Sequence, residues 1–351
     1  MAEQVSTGRP TLEAVAARAG VSRATASRVV NGGDGVRPHL VDKVRAAILD
    51  LGYVPNHAAR TLVTRRTGAV AVIIAEPEIR IFSDPFFSRQ LRGISKELTA
   101  HDTQLVLLLV EHRGDYDRIE RYLAGGHVDG ALAFSLHTDD PLPAITRRIA
   151  MPTVYGGRPG WTGRADGAGD QYGPVSYVDA DNRGGAREAV RYLLSRGRRQ
   201  IAHIAGPMDQ TSATDRLDGY RDVLLDADPA LIAEGDFTAP GGARAMAELL
   251  DRCPDLDAVF AANDLMATGA LGVLRQRGRS VPEDVALVGF DDAEQVAENA
   301  DPPLTTVRQD IEGMGRLMAR LLLRTLDPVH GSQRVPGSVI TPTSLVLRGS
   351  A

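Results

Sequence analysis

With 351 residues, 43% hydrophobic and 24% charged, the chain can bury the cores of two or three domains and has the balance of a water-soluble globular protein. No run approaches the roughly 18 consecutive apolar residues that a membrane span needs, the N-terminus has no apolar signal core, and the single cysteine, Cys253, excludes an intramolecular disulfide or a cysteine-based metal cluster. The net charge of -5 hides two unlike parts: residues 1–66 hold ten basic side chains against five acidic ones, a +5 head on a -10 body, so only the head suits a polyanion. A cytoplasmic location is expected, with no membrane partner.

From Thr11, the residues Leu12, Val15, Ala16 and Ala19 mark one helix face, which Gly20 ends. Ser22 is an N-cap for a second helix with inward stripe Ala26, Val29 and Val30. A third is predicted from Pro38 through Leu40, Val41, Val44, Ala47, Ile48 and Leu51 to Gly52. Helix, glycine turn, helix is the layout that sets a second helix in the DNA major groove. At 100° per residue, Ala24, Arg28 and Asn31 oppose the buried stripe, with Arg23 and Ser27 on a flank. Small residues let the backbone approach the duplex, the hydroxyls of Ser22, Thr25 and Ser27 suit phosphates, and arginines fork onto guanine edges. The alternative is an ordinary three-helix bundle with solvated arginines.

Beyond residue 69, apolar runs predict strands at 70–74, 104–110, 130–134, 153–155, 175–178, 201–205, 258–261 and 285–290, with helical periodicity between them, as in 183–196 and 267–277. This βαβα order predicts an α/β fold of doubly wound parallel sheets, and so many strands fit two lobes. Ligands of such sheets bind beyond the carboxyl ends of strands, where Asn263, Asp264, Asp291 and Asp292 fall. Asp, Asn and Arg make paired hydrogen bonds to sugar hydroxyls while aromatic rings cover the C–H face. Asn263 and Asp291 can equally cap helices, and Phe86 can equally be core. Asp179, Asp181 and Gly184 are rejected as a calcium loop because Arg183 and Val190 occupy ligand positions. With no zinc motif, P-loop or nucleophile elbow, no metal, cofactor or enzymatic activity is expected.

The segment TLEAVAARAGVSRATASRVVN (11–31) closely resembles the headpiece of the lactose-repressor (LacI/GalR) family of bacterial transcription regulators, and GYVPNHAARTLVTRRT (52–67) resembles that family's hinge. The resemblance implies a helix-turn-helix headpiece (1–54), a hinge helix and linker (55–67) and a periplasmic-binding-protein-like effector domain (68–351), crossed by the chain near Val175, Thr305 and Arg334. In the hinge it implies Asn56 as N-cap, Ala59 toward the dimer mate and Leu62 as a minor-groove wedge, an insertion that exchanges base stacking for a bent, better-wrapped duplex. Arg37 departs from the family's usual Ser or Thr cap. For the effector it implies Arg216, Asn263, Asp291 and Gln309 on one side, and Phe86 with Asp84, in place of the family's asparagine, on the other. Arg158, Asp179 and Trp161 are further candidates around the insertion-like 158–174. The implied function is that of a dimeric, allosteric, DNA-binding repressor released from its operator by a mono- or oligosaccharide. A purine or phosphoprotein corepressor, or a sugar-binding protein without regulatory role, is the alternative.

Overall fold

Thr11 opens the first helix of the N-terminal unit with its hydroxyl, which accepts from the Ala14 amide at 3.2 Å. The structure, a computed structural model, describes residues 10–30, 34–54, 66–160, 175–327 and 337–351. The chain forms two units, Met1–Thr67 and Gly68–Ala351.

In the first unit, α1 (Leu12–Ala19) ends at Gly20 with φ 65°, a left-handed cap that only glycine adopts without strain. α2 (Arg23–Val30) follows, and α3 (Pro38–Leu51) starts without a side-chain cap from Arg37. Val15, Ala19, Val44 and Ala47 form the core, with Val21, Val29, Ile48, Leu51 and Tyr53 against it. This core is small, and an exposed ion pair, Arg18 Nε to Asp50 at 2.7 Å, links α1 to α3 at its surface.

The second unit holds two sheets. The first contains β1 (Ala69–Ile74), β2 (Gln104–Leu109), β3 (Gly130–Phe134), β4 (Thr153–Gly156), β5 (Ser176–Ala180) and β11 (Ser338–Thr341) in the order β11-β5-β4-β3-β1-β2, all parallel. The second contains β6 (Ile201–Ala205), β7 (Ile232–Glu234), β8 (Ala258–Ala261), β9 (Ala286–Asp291), β10 (Thr305–Gln309) and β12 (Thr343–Val346) in the order β12-β10-β9-β8-β6-β7. Here β12 departs from the parallel expectation by running antiparallel to β10. Apolar clusters cover both faces of each sheet, which explains the continuous apolar runs of β1, β3 and β8.

Four strands escape the periodicity. β7 is three residues long, β10 ends in Arg308 and Gln309, and β11 and β12, separated only by Pro342, have no fully buried position.

The crossings also fall elsewhere than expected: at Asp181, Asp310 and Pro342 rather than near Val175 and Thr305, while Arg334 lies outside the described residues. Strands β5 and β10 each finish in their own sheet, and the next helix (Asn182–Ser195, Ile311–Leu326) packs on the other lobe. Each crossing aspartate caps that helix, Asp181 accepting from Gly184 N and Asp310 from Gly313 N, both at 2.8 Å. A Cβ at Gly184 or Gly313 would lie 2.0 Å from the capping carboxylate, so a larger residue at either position would have to shift the carboxylate from where it now caps.

Candidate functional site

The carboxyl ends of the two sheets face each other across a cleft open to solvent, the place where ligands of such sheets bind. Asp84, Phe86, Arg158, Asp179, Arg216, Asn263, Asp291 and Gln309 all line it. Trp161 and the rest of 161–174 lie outside the described residues.

Arg216 anchors the second-lobe wall. It projects from the Thr211–Val223 helix and is only 5% exposed. Its Nε donates to Asn182 Oδ1 at 3.0 Å, its Nη1 donates to the Ala262 carbonyl at 2.5 Å, and its Nη2 stands 3.5 Å from the Asp291 carboxylate. Its guanidinium lies 3.7 Å from the centroid of the Phe290 ring. Asp291 closes β9 at φ 103°, followed by Asp292 at φ 47°. Two successive non-glycine residues in the left-handed region are costly, and such strain gathers at binding sites. Gln309 Nε2 donates to Asp291 Oδ1 at 2.6 Å. Burial raises the Asp291 pKa, opposed by Arg216 and Gln309. Asn263 does cap its helix, accepting from Met266 N at 2.8 Å, and its amide also donates to the Phe237 carbonyl at 2.9 Å.

On the first-lobe wall, Asp84 caps the Pro85–Ala100 helix through Phe86 N at 2.9 Å. Burial pushes its carboxyl up to about 6. Asp179 is likewise raised to about 6 by burial, although it accepts from Arg158 N at 3.0 Å and Ala180 N at 2.8 Å. Phe86 is half-buried, edge-on to Phe87 and Phe134, and lines the cleft, so it serves core and wall together. Arg158 reaches across to Asp215 at 2.5 Å.

A second set of polar groups joins the lobes. Buried Glu76, just past β1, accepts from Gln210 Nε2 of the second lobe at 2.8 Å, from Ser135 Oγ at 2.5 Å and pairs with Arg80. His137 lies between Glu76, at 3.4 Å, and Asp209 of the second lobe, at 2.6 Å. Glu76 foremost, and then Asp209, overcome burial and raise His137 to about 9. Thr138 N donates to the Asp209 carbonyl at 2.9 Å, and Arg89 donates to the Asp292 carbonyl at 2.9 Å. Glu76 and Ser135 stand just past strand ends, so the rule that singled out Asn263 also reaches them; Arg80, Gln90 and Phe237 had no such signal.

On α2, Ser22, Arg23, Ala24 and Arg28 are exposed, Thr25 and Ser27 are half-buried, and Ala26 faces inward. Arg23 is not a free flank, since its Nε donates to Glu13 of α1 at 2.6 Å. Ser22 Oγ accepts from Thr25 N at 3.1 Å and lies 2.9 Å from Thr25 Oγ1, so these hydroxyls cap the helix. Asn31, Asn56, Ala59 and Leu62 lie outside the described residues.

A family model described as bacterial regulatory proteins, lacI family, matches residues 11–56, and one described as a periplasmic binding protein-like domain matches residues 190–351. The chain is 50% identical over 346 residues to the HTH-type transcriptional regulator CelR of Thermobifida fusca, covering 97% of this chain and 98% of that protein. Among solved structures, a transcriptional regulator CelR–cellobiose complex aligns with a TM-score of 0.75 at 48% identity, over 98% of this chain and 100% of that one. The lac repressor dimer bound to operator and the anti-inducer ONPF aligns with a TM-score of 0.82 at 28% identity, over 98% and 99%. A headpiece built as helix, glycine turn, helix, followed by two sheets facing across a polar cleft, thus has whole-chain relatives among these regulators, and the chain belongs to the LacI family of bacterial regulatory proteins.

Proposed function

We propose that the chain is a homodimeric transcriptional repressor that binds operator DNA through α2 and is released when a saccharide, cellobiose foremost, enters the cleft. The observation that carries this reading is the convergence of a buried Arg216–Asp291 pair, Asn263, Gln309, Asp84 and Asp179 with the rings of Phe86 and Phe237 in one cleft. Carboxylates and amides suit hydroxyls, rings suit the sugar's C–H faces, and a relative of half-identical sequence has a structure with cellobiose. The cleft serves binding rather than catalysis.

In the mechanism, ligand bridges both lobes, shifts their angle about Asp181, Asp310 and Pro342, and withdraws the hinge wedge, Leu62, from the duplex. Such coupling amounts to about 1–3 kcal/mol in ordinary cases, and near-complete switching needs about 5.5 kcal/mol of differential binding. The test is binding of the purified protein to genomic fragments across salt concentrations, with and without mono- and disaccharides. Selection of one fragment and its release by one sugar supports the reading; sugar binding without fragment preference leaves a sugar-binding protein with no regulatory role.

Two expected outcomes refine it. Arg28→Ala loses roughly 1–3 kcal/mol on the cognate operator and much less on random DNA in titrations at fixed salt; equal losses would make Arg28 a phosphate contact. Asp84 titrates near 6, and a sugar hydroxyl donates best to its ionised form. Ligand binding then releases a proton, so affinity falls as pH drops from about 7.5 through 6. Calorimetry at several pH values should find that Asp84→Asn flattens this dependence; an unchanged profile would remove Asp84 from contact with ligand.

A further inference from the structure

Among the described residues, three buried side-chain atoms have no hydrogen-bond partner: Arg80 Nε, Gln90 Oε1 and His203 Nε2. His203 is packed between Tyr220 and Phe260 inside the second lobe. Arg80 and Gln90 both line the cleft, on its first-lobe wall.

The two walls differ in this respect. On the second lobe, Arg216, Asn263, Asp291 and Gln309 already satisfy one another or nearby backbone. On the first, Gln90 is 1% exposed and its amide nitrogen has only the Met318 sulfur, at 3.0 Å, a weak acceptor. Exchanging the amide's nitrogen and oxygen leaves the same deficit, because one end still meets only the sulfur. A Cβ at Gly156 would come within 2.7 Å of Gln90 Nε2 and 2.8 Å of Met318 Sδ, so the end of β4 is shaped around this amide. Arg80 is held rigidly, its guanidinium paired with Glu76 and lying 5.7 Å from the Phe87 ring and 5.3 Å from the Phe237 ring of the other lobe. Buried polar atoms are nearly always bonded, so two deficits on one wall of a cleft point to groups brought by a ligand.

The charge pattern limits that ligand. Arg80 faces Glu76, Arg158 faces Asp215 and Arg216 faces Asp291, so each of these cleft arginines already has a carboxylate. Asp84 and Asp179 add further acid. A phosphorylated sugar or nucleotide would meet no uncompensated cation, whereas hydroxyls donate and accept without charge.

We propose that Arg80 and Gln90 are specificity-determining residues of the cleft, a fixed N–H donor and an amide that read hydroxyls of an uncharged saccharide and reject its deoxy derivatives. This rests on the saccharide reading of the cleft. The second lobe orients the ligand, and the first lobe tests its hydroxyl pattern.

The experiment titrates the full-length protein by calorimetry with cellobiose, its mono-deoxy derivatives and cellobiose 6-phosphate. Wild type is expected to prefer cellobiose over at least one deoxy derivative by about tenfold or more, since a site built to bond a hydroxyl rejects the analogue lacking it, and to bind the phosphate far more weakly. Gln90→Met, close in volume, should weaken cellobiose by about tenfold and erase the preference over that derivative. Gln90→Glu, which keeps an acceptor, should retain part of it. Equal wild-type affinities for cellobiose and all its deoxy derivatives would overturn the proposal without any variant, as would a Gln90→Met protein with wild-type discrimination. Wild type that binds the deoxy series indiscriminately leaves the saccharide reading standing, whereas wild type silent to every sugar overturns both.

Discussion

Arg216→Met abolishes the effector response while operator binding persists; this is the largest functional loss expected from a single change in the cleft. The side chain is 5% exposed and aims its guanidinium N–H groups at Asn182, at the Ala262 carbonyl and toward Asp291. Hydrogen bonds to a charged group contribute about 1.5–3 kcal/mol each, so if the guanidinium N–H groups left over from Asn182, Ala262 and Asp291 bond ligand hydroxyls, their loss weakens binding by about two orders of magnitude. The fold is affected too. Removing one member of a buried pair costs about 3–5 kcal/mol when the other charge is left uncompensated, and here Asp291 relieves part of this by taking up a proton, since burial already raises its pKa. Arg216→Met/Asp291→Asn should therefore regain stability but not ligand binding, which separates the two effects. Arg216→Lys should fail as a substitute, because an ammonium cannot reproduce a planar fork. Operator release curves and calorimetry check this; a normal sugar dose response in Arg216→Met would remove Arg216 from the site.

Much of this arrangement is legible in the sequence, because it rests on local rules. Gly20 and Gly52 end helices where the apolar stripe stops, and Asn263 and Asp291 stand where strands end. What escapes depends on tertiary placement. Arg80 belongs to a short helix, Glu78–Ser83, with no strand end to mark it, and its neighbour Phe237 comes from the other lobe. Gln90 looks like any polar residue of an amphipathic helix until Ile311–Leu326 crosses from the second lobe and brings Met318 against it. Arg23 reads as a DNA contact because helical geometry places it outward, and only the packing of α1 on α2 shows Glu13 within reach. An exposed ion pair of this kind is weak, roughly 0–1 kcal/mol, so a phosphate can displace it.

Glu76→Ala should open the lobes and cost about 3–5 kcal/mol, because it leaves the Arg80 guanidinium buried without its carboxylate. Burial alone would raise the Glu76 carboxyl, but His137, Arg80 and Ser135 together hold it below its ordinary value. Its contribution is therefore present above the ordinary carboxylate range and lost on acidification. His137 acts in the opposite sense. Its pKa rises from 6.5 unfolded to about 9 folded, so its stabilisation is complete below pH 6.5 and disappears as pH climbs through 9. The side chain is a third exposed, so solvent screening reduces this to about 1–2 kcal/mol. Denaturant unfolding of the ligand-free protein should thus show stability declining between pH 6.5 and 9, and His137→Gln should flatten that decline while leaving the acid limb in place. X-ray scattering should report a larger radius of gyration for Glu76→Ala. Since Asp209 and Gln210 come from the second lobe, each bond lost here is one that cleft closure must otherwise supply, so Glu76→Ala should also weaken sugar binding without touching Arg216 or Asp291. A compact Glu76→Ala protein with an unaltered pH profile would show that these contacts do not hold the lobes together.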